Sequence, residues 1–208
     1  MKRLVLFLLL LSAGVYLFAQ VQLPEHYFAS GSWRLSGDRL YQNDATARLA
    51  KTNLRIPQNG PMIYEFNVRY EGGDWGGFGI HIFAEDIYHR ASWGSGDSYL
   101  LWLNYDENPV TRGIPRGLSA QIYRSRSSSQ MDLVESISLK EYEDILLDSL
   151  SEEIPFTIWA DGNTGEVRVY DPADSGQYYY FYMDKKDLPM KGNWVSLRTN
   201  GLKLSFGM

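Results

Sequence analysis

The chain has 208 residues, a formal charge of -5 and no cysteine. Without cysteine there are no disulfides, no thiol catalysis and no lipid-modified N-terminal cysteine, and a chain of this length can build a core without such staples. The acidic balance speaks against a nucleic-acid partner, which calls for a basic patch.

The N-terminus has the pattern of a secretory signal peptide. Met1-Lys2-Arg3 is basic, an apolar run follows from Leu4, and Ala19 stands before the polar Gln20. The apolar span is shorter than the roughly 20 residues that cross a bilayer. Cleavage is therefore expected after Ala19, leaving 20–208 as one exported domain, periplasmic or extracellular in a bacterium and not inserted in a membrane. No cofactor motif appears.

Downstream, period-two alternation predicts strands at Arg39–Gln42, Ala45–Lys51, Met62–Tyr70, Gly77–Phe83, Ser98–Asn104 and Leu118–Arg124. Further strands are expected at Phe156–Asp161, Glu166–Tyr170, Gln177–Met183, Trp194–Thr199 and Leu202–Phe206. Gly, Pro, Asn and Asp punctuate the gaps. So many short strands predict an all-β sandwich or barrel. One helix is expected over 139–150, where Ser138 and Glu141 have capping-box spacing and Leu139, Tyr142, Ile145, Leu146 and Leu150 follow at helical intervals. Asp161-Gly-Asn-Thr-Gly165 predicts a hairpin turn.

The order of these segments carries a resemblance. Trp33-Arg-Leu-x-Gly-Asp-x-Leu-Tyr-Gln42 is followed by the Gly-Gly-Phe-Gly-Ile strand, Ser98-Tyr-Leu-Leu-Trp-Leu and Gly192-Asn-Trp-Val-Ser-Leu-Arg-Thr-Asn. This resembles the concanavalin A-like lectin/glucanase jelly roll, which implies an all-β, two-sheet antiparallel sandwich, and is most similar to secreted bacterial 3-keto-disaccharide hydrolase-like and laminin-G-like domains. The resemblance implies fold more than activity.

Catalytic motifs are missing. Glu-x-Asp-x-Glu, which aligns acids on one face of a strand in glycosidases of that superfamily, is absent. Glu141, Glu143 and Asp144 fall in the expected helix, and Glu85-Asp86 and Asp106-Glu107 are adjacent loop pairs. His26, His81 and His89 make no zinc-ligand spacing, there is no nucleophile elbow, and the glycines at 72–79 miss the phosphate-binding pattern.

A binding face is better supported. Opposite the expected core set lie Glu65, Asn67 and Arg69; His81 and Phe83; Trp102 and Asn104; Gln121 and Tyr123; Thr157 and Trp159; Arg168 and Tyr170. Aromatics mixed with amides, Arg and His suit sugar stacking and hydroxyl recognition. Trp75 at the glycine turn, and Tyr88, His89 and Trp93 in the next loop, would form the rim. The expected ligand-binding set is thus Trp75, His81, Trp93, Trp102, Asn104, Gln121, Tyr123, Glu65, Arg69, Tyr88 and His89. The expected partner is a carbohydrate or other envelope component, bound without catalysis. Two alternatives stand beside it: a glycoside-processing hydrolase, and a structural subunit such as a filament sheath, for which the tyrosine-rich segment at 177–183 would be the edge that meets a protein partner.

Overall fold

The computed structural model describes residues 23–74, 76–143 and 152–207. The expected signal peptide and Trp75 lie outside the described residues. Fourteen strands run in chain order: β1 His26–Ser30, β2 Trp33–Ser36, β3 Arg39–Gln42, β4 Ala50–Asn59, β5 Pro61–Gly72, β6 Gly76–Ala84 and β7 Ser98–Asp106. They continue as β8 Gly117–Ser125, β9 Met131–Ser138, β10 Ile154–Asp161, β11 Glu166–Tyr170, β12 Tyr178–Tyr182, β13 Lys191–Asn200 and β14 Lys203–Gly207. They form two seven-stranded antiparallel sheets. The first, sheet A, has the order β1-β4-β13-β6-β7-β8-β9; the second, sheet B, runs β12-β11-β10-β5-β14-β3-β2.

The core between the sheets follows from alternation. Tyr64 and Val68 from β5, Ile80 and Ile82 from β6, Leu101 from β7, Ile158 from β10 and Val167 from β11 meet Leu197, Leu204 and Phe206 in one buried cluster. Phe66, Phe78, Phe156 and Phe206 pack around one another with centroids 5.5–6.5 Å apart. Each such apolar side chain contributes about 1.5–3 kcal/mol on burial.

The glycine-rich segment has a topological job. β5 belongs to sheet B and β6 to sheet A, so the Gly72–Gly76 turn carries the chain from one sheet to the other. Gly72, Gly73 and Gly76 all have positive φ, and a Cβ on Gly76 would come within 1.9 Å of the Asn200 carbonyl. Only glycine meets both demands.

Several expectations need correction. Ala45–Lys51 is not a strand: Asp44 Oδ1 accepts from Thr46 N at 2.8 Å, Ala47 N bonds Asp44 O, and the strand begins at Ala50 and runs to Asn59. Pro57 is tolerated in it because the β4–β13 register shifts between Gly192 and Trp194, where pairing skips it. Phe83, expected opposite the core, has φ 56° and is buried in the core. Strands β1, β2 and β9 lack the expected alternation and were not anticipated. Of the helix expected over 139–150, the described part is a 3₁₀ turn at Lys140–Tyr142. There Ser138 Oγ accepts only from Lys140 N at 3.4 Å; residues 144–150 lie outside the described residues.

Candidate ligand site on the outer face of sheet A

The registers of sheet A set its outward side chains in cross-strand rows. One row runs Lys51, Arg198, Gly79, Trp102, Gln121 and Ser136 over β4, β13, β6, β7, β8 and β9. The next runs Asn53, Ser196, His81, Leu100, Tyr123 and Leu133. A third holds Asn200, Gly77, Asn104 and Ser119. This face is polar and aromatic, yet it is largely buried, because the 85–97 segment between β6 and β7 folds back over it.

The segment is held by cations and hydroxyls. Lys51 Nζ donates to Ser92 O at 3.2 Å, Ser92 Oγ at 2.8 Å and Gly94 O at 2.8 Å, which uses all three ammonium hydrogens. Arg198 Nη1 donates to Trp93 O at 2.5 Å, and its guanidinium lies 4.7 Å from the Trp93 ring and 5.3 Å from that of Trp102. Ser95 Oγ meets Ser196 Oγ at 3.2 Å, and Ser196 Oγ donates to Asn53 Oδ1 at 2.6 Å. Trp93 remains 44% exposed above this layer.

The electrostatics follow from burial. Lys51 is lowered to about 7, first by burial and then by the charge of Arg198. Arg198 is lowered to about 10 by burial. His81, fully buried, is pushed well below the usual histidine range by burial and by both neighbouring cations, so it is neutral at pH 7. Ser98 Oγ donates to Ser95 O at 2.9 Å and so accepts from His81 Nδ1 at 3.0 Å. The proton therefore sits on Nδ1, and Nε2 is a bare acceptor.

That acceptor has no partner. Among the described residues, the buried side-chain polar atoms left without a hydrogen bond are Asn53 Nδ2, His81 Nε2, Ser136 Oγ, Arg198 Nε and Asn200 Oδ1. All five belong to the three rows on this one face. The set mixes donors, acceptors and a hydroxyl. From Asn53 to His81 is two strand spacings, about 10 Å, and from His81 to Asn200 the rows span about four residues, roughly 13 Å. Buried polar groups are normally satisfied, so a concentration of unmet ones marks a place where water or a ligand belongs.

The sequence-predicted residues are divided by the fold. His81, Trp102, Asn104, Gln121 and Tyr123 share the outer face of sheet A, with Trp93 over it. Glu65 and Arg69 do not join them. Both lie on β5 in the other sheet, where Arg69 pairs with Glu71 at 2.8 Å and Glu153 at 3.7 Å. Thr157, Trp159, Arg168 and Tyr170 are on that second sheet too. Tyr88 and His89 sit in the 85–97 segment, His89 edge-on to Tyr27 with centroids 4.3 Å apart. The face is not an open groove: His81 is fully buried, while Trp102 and Tyr123 are 9% exposed and pack with Leu100, Met131 and Leu133.

Sequence reasoning missed Lys51, Asn53, Ser196, Arg198 and Asn200. The signal was present in Ser196, Arg198 and Asn200, which alternate with Val195, Leu197 and Thr199. An arginine in the middle of such a strand asks for a reason.

Two other recesses lie elsewhere. A cavity of 330 Å³ opens between the sheets; Val68, Phe78, Leu103, Phe156 and Leu204 give it a mainly apolar lining, to which Asp74, Asn104, Glu107 and Glu143 add polar groups. A wider one of 700 Å³ near Pro189 includes Asp97 and Asp187, whose carboxylates pair with Arg124 at 2.6 and 2.7 Å.

No protein-family model and no curated protein matches the sequence. Solved structures do match over nearly the whole chain. The carbohydrate-binding module CBM66 of Bacillus subtilis is similar with TM-score 0.56 and 7% identity, covering 89% of this chain and 93% of that one. A legume lectin-like domain from Entamoeba histolytica gives TM-score 0.54 and 7% identity over 88% and 84%. A Bauhinia forficata lectin in complex with GalNAc gives 0.50 and 11% over 91% and 94%. Two packed seven-stranded sheets and these likenesses together make this chain a β-sandwich of the concanavalin A-like jelly-roll fold.

Proposed function

We propose that this protein is an exported carbohydrate-binding protein whose site is the outer face of sheet A beside Trp93. The observation that carries the reading is the gathering of four unmet buried polar atoms, from Asn53, His81, Arg198 and Asn200, on the adjacent strands β4, β13 and β6 of that face, which a half-exposed tryptophan covers. Unmet donors and acceptors of both kinds suit a polyhydroxylated ligand, and an exposed indole suits the apolar face of a sugar ring. The solved carbohydrate-binding module and lectins of the same fold support a sugar as the ligand. Export is supported by the basic, then apolar, then small-residue pattern of the first nineteen residues. Binding without turnover is part of this reading; of the three carboxylates in the covering segment, Glu85, Asp86 and Asp97, the last is ion-paired with Arg124.

The test is a glycan array followed by titration calorimetry on wild type, Trp93→Ala and Asn200→Ala. Binding should fall about tenfold or more in each variant while the thermal midpoint moves by only a few degrees. A blank array, or binding indifferent to both substitutions, removes this reading.

A second reading has its own observation. β12 is an edge strand of sheet B, and Tyr178, Tyr180 and Tyr182 on one of its faces are 46–59% exposed. Arg168 lies 4.7 Å from the Trp159 ring and 5.2 Å from Tyr178 on the same surface. An unpaired aromatic edge suits a subunit that meets a protein partner. Co-purification with one envelope assembly, lost in Tyr180→Lys, would favour it.

A further inference from the structure

Lys51 and Arg198 stand directly opposite each other on β4 and β13, and they are 0% and 2% exposed. Neither is paired with a carboxylate among the described residues. Lys51 is held by Ser92 and Gly94, and Arg198 by the Trp93 carbonyl and two indole faces. The other buried arginines of the described chain differ. Arg39 pairs with Glu153 at 2.7 Å, and Arg124 pairs with Asp97 and Asp187 at 2.6 and 2.7 Å. Buried cations are ordinarily paired, because an uncompensated charge taken out of water is costly. Two adjacent ones left unpaired, in a protein whose net charge is -5, make a local positive site with no internal counter-charge.

We infer that the missing counter-charge belongs to the ligand: the glycan that this face takes is an acidic one, whose carboxylate or sulfate group pairs with Arg198. The inference rests on the reading of this face as the sugar site, and narrows it to anionic sugars. Arg198 Nε is a buried donor without an acceptor, and a guanidinium presents its donors in a fork that fits planar carboxylates and tetrahedral oxyanions. Lys51, one strand away and engaged with Ser92 and Gly94, adds positive potential. The bare Nε2 of His81 and the free oxygen of Asn200 accept from hydroxyls flanking the acidic group. Trp93 is the cover: its carbonyl holds Nη1 and its ring faces the guanidinium.

The deciding experiment is titration calorimetry of the whole protein at pH 6 and low salt with three hexasaccharides. One is an oligogalacturonate, the second is the same oligomer with its carboxyls reduced to neutral alcohols, and the third is a sulfated galactan. The inference expects the anionic oligomers to bind at least about tenfold more tightly than the reduced one. It also expects that advantage to vanish in Arg198→Met and to shrink severalfold between pH 6 and pH 9, as Lys51 loses its proton. Preference for the uronate identifies a carboxylate ligand, and preference for the galactan identifies a sulfate ester. Equal binding of all three oligomers overturns the inference and leaves a neutral-sugar site standing. Binding on a wider array to neutral glycans only has the same meaning. Binding to no glycan at all overturns both. Should Arg198→Met fail to fold, the wild-type comparison of acidic and reduced oligomers still decides.

Discussion

The indole of Trp102 lies across the backbone of Gly79, its partner on the neighbouring strand: a Cβ built on Gly79 would stand 2.9 Å from Trp102 Cε3 and 2.1 Å from the Leu101 carbonyl. Gly77 is crowded in the same way, with Trp102 Cζ2, Asn104 Oδ1 and the Leu103 carbonyl all at 2.6 Å from such a Cβ. The glycines of β6 are therefore the bed for a tryptophan on the adjacent strand. Gly79→Ala should destabilise the fold by about 2–3 kcal/mol, since the obstruction includes backbone that cannot rotate away. Urea unfolding checks this. A midpoint unchanged from wild type would mean that β6 and β7 are not packed this closely.

That relationship shows what was and was not legible in the sequence. Alternation in 62–70, 77–82, 98–104 and 156–161 matches the strands and their inward residues, because period two depends only on the strand itself; it fails at Phe83, where a positive φ breaks the alternation. Which strands share a sheet depends on pairing between distant segments. Glu65 and Arg69 therefore looked equivalent to His81 and Trp102, though they face opposite sides of the sandwich. Lys51 was missed because an Asp44 turn displaces the start of β4 to Ala50, which changes its neighbours. The burial of His81 came from the 85–97 segment folding back, and nothing in the local pattern of 77–83 encodes that.

Gln58 joins three parts of the core. Its Oε1 accepts from Tyr64 OH at 2.6 Å and from Phe83 N at 2.7 Å, and its Nε2 donates to Trp194 O at 2.8 Å. Burial also drives the Tyr64 hydroxyl far above its ordinary pKa, so it remains a donor throughout the accessible range. Gln58→Leu would remove the partner of two buried donors and of two acceptors, Trp194 O and Ile56 O, and should cost about 3 kcal/mol or more. Tyr64→Phe removes only one partner and should cost about 1 kcal/mol. Equilibrium unfolding of the two variants gives the comparison; equal losses would show that Phe83 N finds another acceptor.

Acid should act through Asp187. Burial raises its pKa, but hydrogen bonds from Arg124 and Tyr99 and the charges of Arg124 and Arg126 outweigh that and leave it below 3.8. A depressed carboxylate contributes stability that is present above its unfolded pKa and lost as pH falls through the folded one. The thermal midpoint should therefore fall on acidification below about pH 4. Asp187→Asn should be less stable than wild type at pH 7 and show a shallower acid limb. An identical limb in the variant would assign acid sensitivity to other carboxylates.

Alkali should act in the opposite sense through Lys51. Its folded pKa is about 7 against 10.5 for an unburied lysine, so between those values the unfolded chain binds more protons than the folded one. Stability then rises with pH across that window. Below about 7 the ammonium is charged in both states, and the cost of burying it is present in full. Above 10.5 it is neutral in both, and the relief is complete. Tyr99, raised to about 12 by burial, turns the trend downward only above about pH 10, where the unfolded phenol begins to ionise. The thermal midpoint should thus climb by about 6–12 °C between pH 7 and 9.5. Lys51→Met should flatten that slope, and saturating acidic oligosaccharide should flatten it too, because an anion beside Arg198 holds the lysine charged. A wild-type slope as flat as that of Lys51→Met would mean that Lys51 is stabilised as an ammonium by Ser92 and Gly94 alone, and that the cation pair needs no counter-charge.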